Sequence, residues 1–491
     1  MKEIKIQCDK YKGKTLMEAL AEEGVQLGGT CGGMGSCGKC KVIANGQEVL
    51  SCKVTVEEDV NVRISGGRED FSIKETSVTL PEGFVWDCGE PGTYGIALDL
   101  GTTTVVVMLW NLETGALADV EAISNPQRFY GADVMSRIGF VLKAPWNLKR
   151  LQSCLVNEIN QAVSKMMIKH GIELGQIRKI AAVGNTAMSH FFLGEDVSGL
   201  AAYPFQPAFS GSVVSTAREM GLAAHEEAEV YVGPNIAGHV GSDITAGILA
   251  AGYMDENQRE NRLFFDIGTN GEILLVAGGQ AYCCSTAAGP AFEGSALHQG
   301  MRAIPGAICK VDIENGGVQV QTIGDEPAKG ICGSGIIDAM AAMVKHQVVD
   351  AYGRIDGPAE VNCFHLTKDP EVLVTQQDVR EIQMAKAAIA AGSQMLMEKA
   401  GLSLEEITEV GIAGAFGNAI DLESGKTIGL LPKVEAARLR GLGNSAGVGA
   451  SMLLLAKKCR EKAEKFAVSV EHVELAASTA FQTRYIEEMN F

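Results

Sequence analysis

Hydrophobic and polar positions change period several times along the chain, and each change marks an element. Glu3-Ile-Lys-Ile-Gln alternates with the two-residue period of a strand, while Thr15 to Glu23 carries Leu16, Ala19 and Leu20 at helical spacing before Gly24. Lys41-Val-Ile-Ala and Gln47-Glu-Val-Leu are two strands, and the Asn45-Gly46 pair between them predicts a type I′ turn. Over residues 76–92 the pattern loosens into a connection punctuated by Pro81, Gly83, Gly89, Pro91 and Gly92, which places a domain boundary there. Beyond it, the run from Tyr94 to Leu100, a tight turn, and the run from Val105 read as two apolar strands. Leu263-Phe-Phe-Asp-Ile-Gly-Thr-Asn-Gly-Glu-Ile-Leu-Leu-Val repeats this plan, with Asp266 in the place of Asp99. Two such hairpins imply a duplicated fold. Two long helices read as structural: Leu148, Leu151, Leu155, Ile159 and Val163 form one stripe, and Thr375-Gln-Gln-Asp opens another as a capping box.

Composition narrows the class. At 491 residues with 46% hydrophobic and 21% charged side chains, the chain is neither a small stapled scaffold nor mainly disordered. The net charge of −18 opposes the phosphate attraction on which nucleic-acid binders rely. No apolar run is long enough to cross a bilayer, and the N-terminal residues carry no apolar signal region, so a soluble cytoplasmic protein without a membrane partner is expected. Residues 1–75 hold 11 basic and 12 acidic side chains, so nearly all the surplus acid lies beyond them.

Thirteen cysteines in a reducing compartment suggest metal ligation where they cluster. Cys31, Cys37, Cys40 and Cys52 follow C-x5-C-x2-C-x11-C, one residue longer in the first gap than the plant-type [2Fe-2S] spacing. Glycines at 32, 33, 35 and 38 let the loop curl its N–H groups toward sulfur, and the hairpin can return Cys52 to the others. A small α+β domain around a [2Fe-2S] cluster is expected over residues 1–75. Structural zinc is the alternative, but a single C-x2-C pair in a glycine-rich loop fits it less well. Cys8, Cys88, Cys154, Cys309, Cys363 and Cys459 are isolated, as small packing residues usually are, and are assigned no role.

The paired hairpins carry the remaining chemistry. Each turn, Gly101-Thr102-Thr103 and Gly268-Thr269-Asn270-Gly271, can offer N–H and hydroxyl donors to phosphate, while Asp99 or Asp266 holds Mg²⁺ through water or orients the attacking water. A lone turn would be an ordinary β-turn; the pair points to a nucleotide. Pro234 to Gly252 is a loop passing into a small-residue helix that suits a hinge or plain close packing. Gly333-Ser334-Gly335 begins an apolar helix whose N-terminus can meet a phosphate or ribose, or simply pack tightly. Gly414, Phe416 and Gly417 follow a strand, and Gly441 onward starts another small-residue helix, so these segments can frame an adenosine and a second hinge. His239 and His298 read as structural.

Together these segments resemble the ASKHA superfamily of acetate and sugar kinases, heat-shock chaperones and actin. The resemblance puts phosphate-1 at Asp99, connect-1 near Asp243, phosphate-2 at Asp266, adenosine near Gly414 and connect-2 near Gly443. Joined to the cysteine loop, the chain resembles the reductive activators of corrinoid-dependent enzymes. Asn125-Pro-Gln, Gly131-Ala-Asp-Val-Met-Ser-Arg-Ile, Val183-Gly-Asn-Thr-Ala-Met-Ser-His and Ala287-Ala-Gly-Pro-Ala-Phe-Glu-Gly are the distinctive stretches. This resemblance implies an α+β ferredoxin-like (β-grasp) domain over 1–75, a linker over 76–92 and an α/β duplicated ribonuclease-H-like ATPase domain over 93–485. It further implies Asp243 as a third catalytic carboxylate, and ATP with Mg²⁺ driving one-electron reduction of Co(II) to Co(I) in a corrinoid protein of a methyltransferase system. A low-potential electron donor of unknown identity and a homodimer belong to the same picture. Other readings are an electron activator for a different low-potential enzyme, a nucleotide-sensing redox module, or a small-molecule kinase.

Overall fold

A computed structural model describes residues 2–23, 25, 40–64, 78–255, 260–294, 296–314, 317–356, 362–414, 417 and 419–491. The chain forms two compact units, Met1–Asp243 with Ala450–Lys457 and Ile244–Gly449 with Lys458–Phe491. The three crossings fall inside helices, Ser242–Ala251, Ser445–Leu455 and Lys457–Ser469.

The first unit opens with an antiparallel sheet of β1 (Lys2–Ile6), β2 (Lys41–Ala44), β3 (Gln47–Leu50) and β4 (Val60–Ile64), in the order β1-β4-β2-β3. The expected helix follows as Leu16–Glu22. Its first turn is capped reciprocally: the Thr15 amide donates to Glu18 at 2.8 Å and the Glu18 amide to the Thr15 hydroxyl at 3.2 Å. Leu16, Ala19 and Leu20 are fully buried with Ile6, Tyr11 and Val56, so the helical stripe read from sequence is the core-facing one. Asn45 and Gly46 have φ of 47° and 86°, as a type I′ turn requires, and Lys41 pairs with Leu50 at the open end of the hairpin.

The rest of this unit is built on β5 (Tyr94–Leu100), β6 (Thr104–Asn111), β7 (Leu117–Ser124), β8 (Ile177–Gly184), β9 (Val213–Thr216) and β10 (Glu229–Val232), ordered β7-β6-β5-β8-β10-β9. The strands β5, β6 and β7 form an antiparallel meander, while β8 and β10 extend it in parallel with β5. The helix Trp146–His170 buries Leu151, Leu155, Ile159 and Val163 in the core formed with Ile96, Leu98 and Leu100. Each such side chain contributes roughly 2 kcal/mol. The preceding connection lacks helix and strand over 78–92, yet it is pinned: the Asp87 amide donates to the Leu455 carbonyl at 2.9 Å, and the Lys457 amide to the Asp87 carboxylate at 2.7 Å.

The second unit repeats the plan with β11 (Arg262–Ile267), β12 (Gly271–Ala277) and β13 (Gln280–Thr286) as the meander. Next come a three-stranded sheet of β14 (Ala307–Glu314), β15 (Gly317–Thr322) and β16 (Gly330–Ile331), and a hairpin of β17 (Cys363–Lys368) and β18 (Glu371–Thr375). The main sheet is completed by β19 (Glu409–Ala413), β20 (Leu439–Gly443) and β21 (Val470–His472), in the order β20-β19-β11-β12-β13-β21 with β19 and β20 parallel to β11. The helix Gln376–Ala400 starts at the predicted Thr375 and Asp378 capping box and buries Ile382 and Ile389. Asp99 lies opposite Val106 and Val183, and Asp266 opposite Glu272 and Ala413, so the two aspartates occupy the same topological position. The duplication expected from the two hairpins is therefore present in the sheets. No helix among the described residues is long and apolar enough to cross a membrane.

Candidate functional site

Cys40 and Cys52 flank the open end of the β2–β3 hairpin, so their side chains are brought together by its register. Both are buried, and their Sγ atoms are 3.2 Å apart, well beyond the length of about 2.05 Å of a disulfide bond. The Ser51 amide donates to the Cys40 carbonyl at 2.9 Å and fixes this juxtaposition. Two thiols held side by side out of water are a donor pair suited to a thiolate-ligated metal group. Cys31 and Cys37 lie outside the described residues.

At the first hairpin, Gly101 must be glycine, because a Cβ there would sit 2.4 Å from the Thr104 carbonyl oxygen. The turn is gripped through its carbonyls. Asn125 Nδ2 donates to the Gly101 carbonyl at 2.8 Å, Arg137 Nη2 to that of Thr102 at 2.6 Å, and the Asn125 amide to that of Thr103 at 2.9 Å. Asn185 Nδ2 donates to the Thr102 hydroxyl at 3.0 Å. Arg137 is wholly buried, and desolvation lowers its pKa to about 10, with the Asp133 carboxylate opposing that shift. Asp243 enters from the helix Ser242–Ala251. Ser242 Oγ accepts from the Gly184 amide and lies within donating distance of the Gly184 carbonyl, both at 3.1 Å, and a Cβ at Gly241 would meet Asn185 Cα at 2.4 Å. Gly184 in turn pairs with Leu100, so Asp99, the turn 101–103 and the helix start bearing Asp243 gather at one end of one sheet.

At the second hairpin, Gly414 has φ of 81°, and a Cβ there would lie 2.4 Å from Asp266 Oδ1. Asp266 and the predicted adenosine loop are thus in contact. The Gly268 amide donates to the Asn270 carbonyl at 2.9 Å, and the Thr269 hydroxyl donates to the Glu293 carboxylate. A Cβ at Gly271 would meet Ile389 Cγ1 at 2.8 Å. The Gly417 amide closes the loop onto the Gly414 carbonyl at 3.0 Å, and its own Cβ would lie 2.8 Å from the Gly443 nitrogen. Phe416 lies outside the described residues.

The helix Gly333–Lys345 begins where the sequence placed it, but Gly335 serves packing: a Cβ would lie 2.1 Å from the Ile308 carbonyl oxygen. The two small-residue helices meet closely, since a Cβ at Gly449 would lie 2.0 Å from the Ala246 carbonyl and one at Gly247 2.9 Å from Ser445 Oγ. Sequence reasoning singled out the aspartates and glycines but gave no role to Asn125, Arg137, Asn185 or Glu293. Their signal was present only as the distinctive stretches that contain them.

A meander extended by parallel strands, with an Asp-x-Gly-Thr turn at its central strand, defines the second unit as an ASKHA-type domain, and known proteins agree. Residues 260–491 match the family model described as the C-terminal domain of RACo, the ASKHA domain, and residues 94–257 match that of the RACo middle region. The corrinoid activation enzyme RamQ of Eubacterium limosum is 34% identical over 424 residues, covering 82% of this chain and 71% of the relative. The [Co(II) methylated amine-specific corrinoid protein] reductase of Methanosarcina barkeri is 26% identical over 432 residues, covering 81% of this chain and 77% of the relative. A solved reductive activator for corrinoid, iron-sulfur protein superimposes with a TM-score of 0.75 at 28% identity, covering 97% of this chain and 95% of its own. The chain belongs to the RACo family of corrinoid-protein reductive activators.

Proposed function

We propose that this enzyme reductively activates a corrinoid protein of a methyltransferase system, returning Co(II) of that substrate to Co(I) at the expense of ATP. The observation that carries this reading is the buried Cys40 and Cys52 pair, with Sγ atoms 3.2 Å apart, in the same chain as two equivalent Asp-x-Gly-Thr turns. Cys31, Cys37, Cys40 and Cys52 would hold a [2Fe-2S] cluster in a ferredoxin-like (β-grasp) domain over 1–75, followed by a linker over 76–92 and the ATPase domain over 93–485. The cluster supplies single electrons at low potential. The turns 101–103 and 268–271 bind ATP phosphates. Asp99 and Asp266 anchor Mg²⁺ through water, and Asp243 is the third carboxylate at the reaction. Gly414, Phe416 and Gly417 frame the adenosine, and Gly333, Ser334 and Gly335 lead into the helix beside it. An exogenous low-potential donor reloads the protein, which works in the cytoplasm as a homodimer.

The test is anaerobic. Protein, a Co(II) corrinoid protein from the same cell and a low-potential reductant are mixed, and visible spectra are recorded with and without Mg-ATP. Co(I) is expected only with Mg-ATP. Equal Co(I) without nucleotide would remove ATP from the reaction, and none with a range of corrinoid proteins would remove the corrinoid.

A further inference from the structure

We propose that Arg137 is a positioning residue of the phosphate site, aiming the amides of the 101–103 turn at an ATP phosphate and lending that phosphate a buried positive charge. This deepens the nucleotide reading above and rests on it.

The guanidinium is 0% exposed and touches only neutral acceptors: Nη2 reaches the Thr102 carbonyl at 2.6 Å, Nε the Gly131 carbonyl at 3.0 Å, and Nη1 both Gln127 Oε1 and Met188 Sδ at 3.3 Å. The carboxylate nearest in sequence, Asp133, caps its own helix by accepting from the Ser136 amide at 2.8 Å. Among the described residues no carboxylate forms an ion pair with Arg137. A buried cation whose direct contacts are all neutral is unfavourable in a finished fold, so its place beside the turn calls for an anion that comes and goes.

The peptide geometry shows where that anion sits. In a planar trans peptide the C=O and the following N–H point in opposite directions. Arg137 draws the Thr102 carbonyl toward itself, which directs the Thr103 N–H away. Asn125 does the same to the Gly101 carbonyl and so directs the Thr102 N–H. The amides of Gly101, Thr102 and Thr103 donate to no acceptor among the described residues. Two aligned, unspent amides with a positive charge behind them form an anion nest. Asn125 and Asn185 hold the same turn, but only Arg137 supplies charge.

The experiment is equilibrium binding of Mg-ATP and of adenosine to the full-length protein, comparing wild type with R137M and R137K. For R137M the ATP affinity is expected to fall roughly tenfold or more, with adenosine affinity unchanged within about twofold. R137K keeps the charge but loses the fork, so an intermediate loss for ATP alone is expected. A merely structural arginine would weaken both ligands together or neither, and either result overturns the proposal. Should R137M fail to fold, R137K alone decides by the same criterion. A wild type that binds neither ligand would remove the nucleotide reading itself, and the proposal with it, which is distinguishable from failure of the variant pattern.

Discussion

Gly414 is held to glycine by two constraints at once. Its φ of 81° disfavours any L side chain, and a Cβ would intrude on Asp266 Oδ1 at 2.4 Å and on the Ile267 carbonyl at 3.1 Å. Gly414→Ala is therefore expected to cost about 1–3 kcal/mol of stability and to displace the Asp266 carboxylate. A lower urea midpoint together with a raised KM for ATP would show both effects, whereas an unchanged KM would mean that Asp266 moves without consequence for the nucleotide. At this scale, legibility in sequence depended on repetition and on distance. Asp99 and Asp266 stood out because each precedes the same small-residue turn. Arg137, Asn125 and Glu293 stayed hidden because their contacts reach 35, 24 and 24 residues along the chain, to Thr102, Gly101 and Thr269, and no local pattern encodes them.

Elements whose partners are near in sequence were the readable ones. The β2–β3 hairpin follows from Asn45-Gly46 alone, and the helix Gln376–Ala400 begins at its capping box. The antiparallel pairing of β1 with β4, and the parallel pairing of β14 with β16, depend on distant registers that no turn residue announces. The hairpin also carries a functional consequence, because its register sets Cys40 beside Cys52. Gly46 has φ of 86° and open space where a Cβ would go, so Gly46→Val acts through backbone conformation and not through a clash. The cost is about 1–2 kcal/mol, concentrated in the turn that aligns the two thiols. Heating the anaerobic protein should bleach its visible cluster absorbance at a lower temperature in this variant, with ATP hydrolysis at room temperature unaffected. An unchanged bleaching temperature would show that the cysteine loop holds its own geometry without the hairpin.

Across the whole molecule, two kinds of chemistry are built by two unrelated devices: a cysteine pair placed by an antiparallel hairpin, and aspartate turns placed by a duplicated mixed sheet. Each is internally supported. The Cys40 and Cys52 geometry depends on β2 and β3, while Asp266 depends on β11, β12 and Gly414. The proposed function requires both, since a one-electron equilibrium shifts tenfold per about 59 mV, or about 1.4 kcal/mol, and driving an unfavourable transfer needs coupling to a second reaction. The two functions should therefore be separable by mutation although their product is not. Asp266→Asn is expected to leave the cluster spectrum intact, to lower ATP hydrolysis roughly a hundredfold, and to yield no Co(I). Cys52→Ser is expected to change or abolish the cluster spectrum, to leave ATP hydrolysis within about twofold of wild type, and likewise to yield no Co(I). Anaerobic absorbance, phosphate release and corrinoid reduction, measured on the same preparations, decide the matter. If Asp266→Asn bleached the cluster, or Cys52→Ser stopped hydrolysis, the two devices would be one cooperative site, and ATP would act on the cluster itself rather than on the reduction it drives.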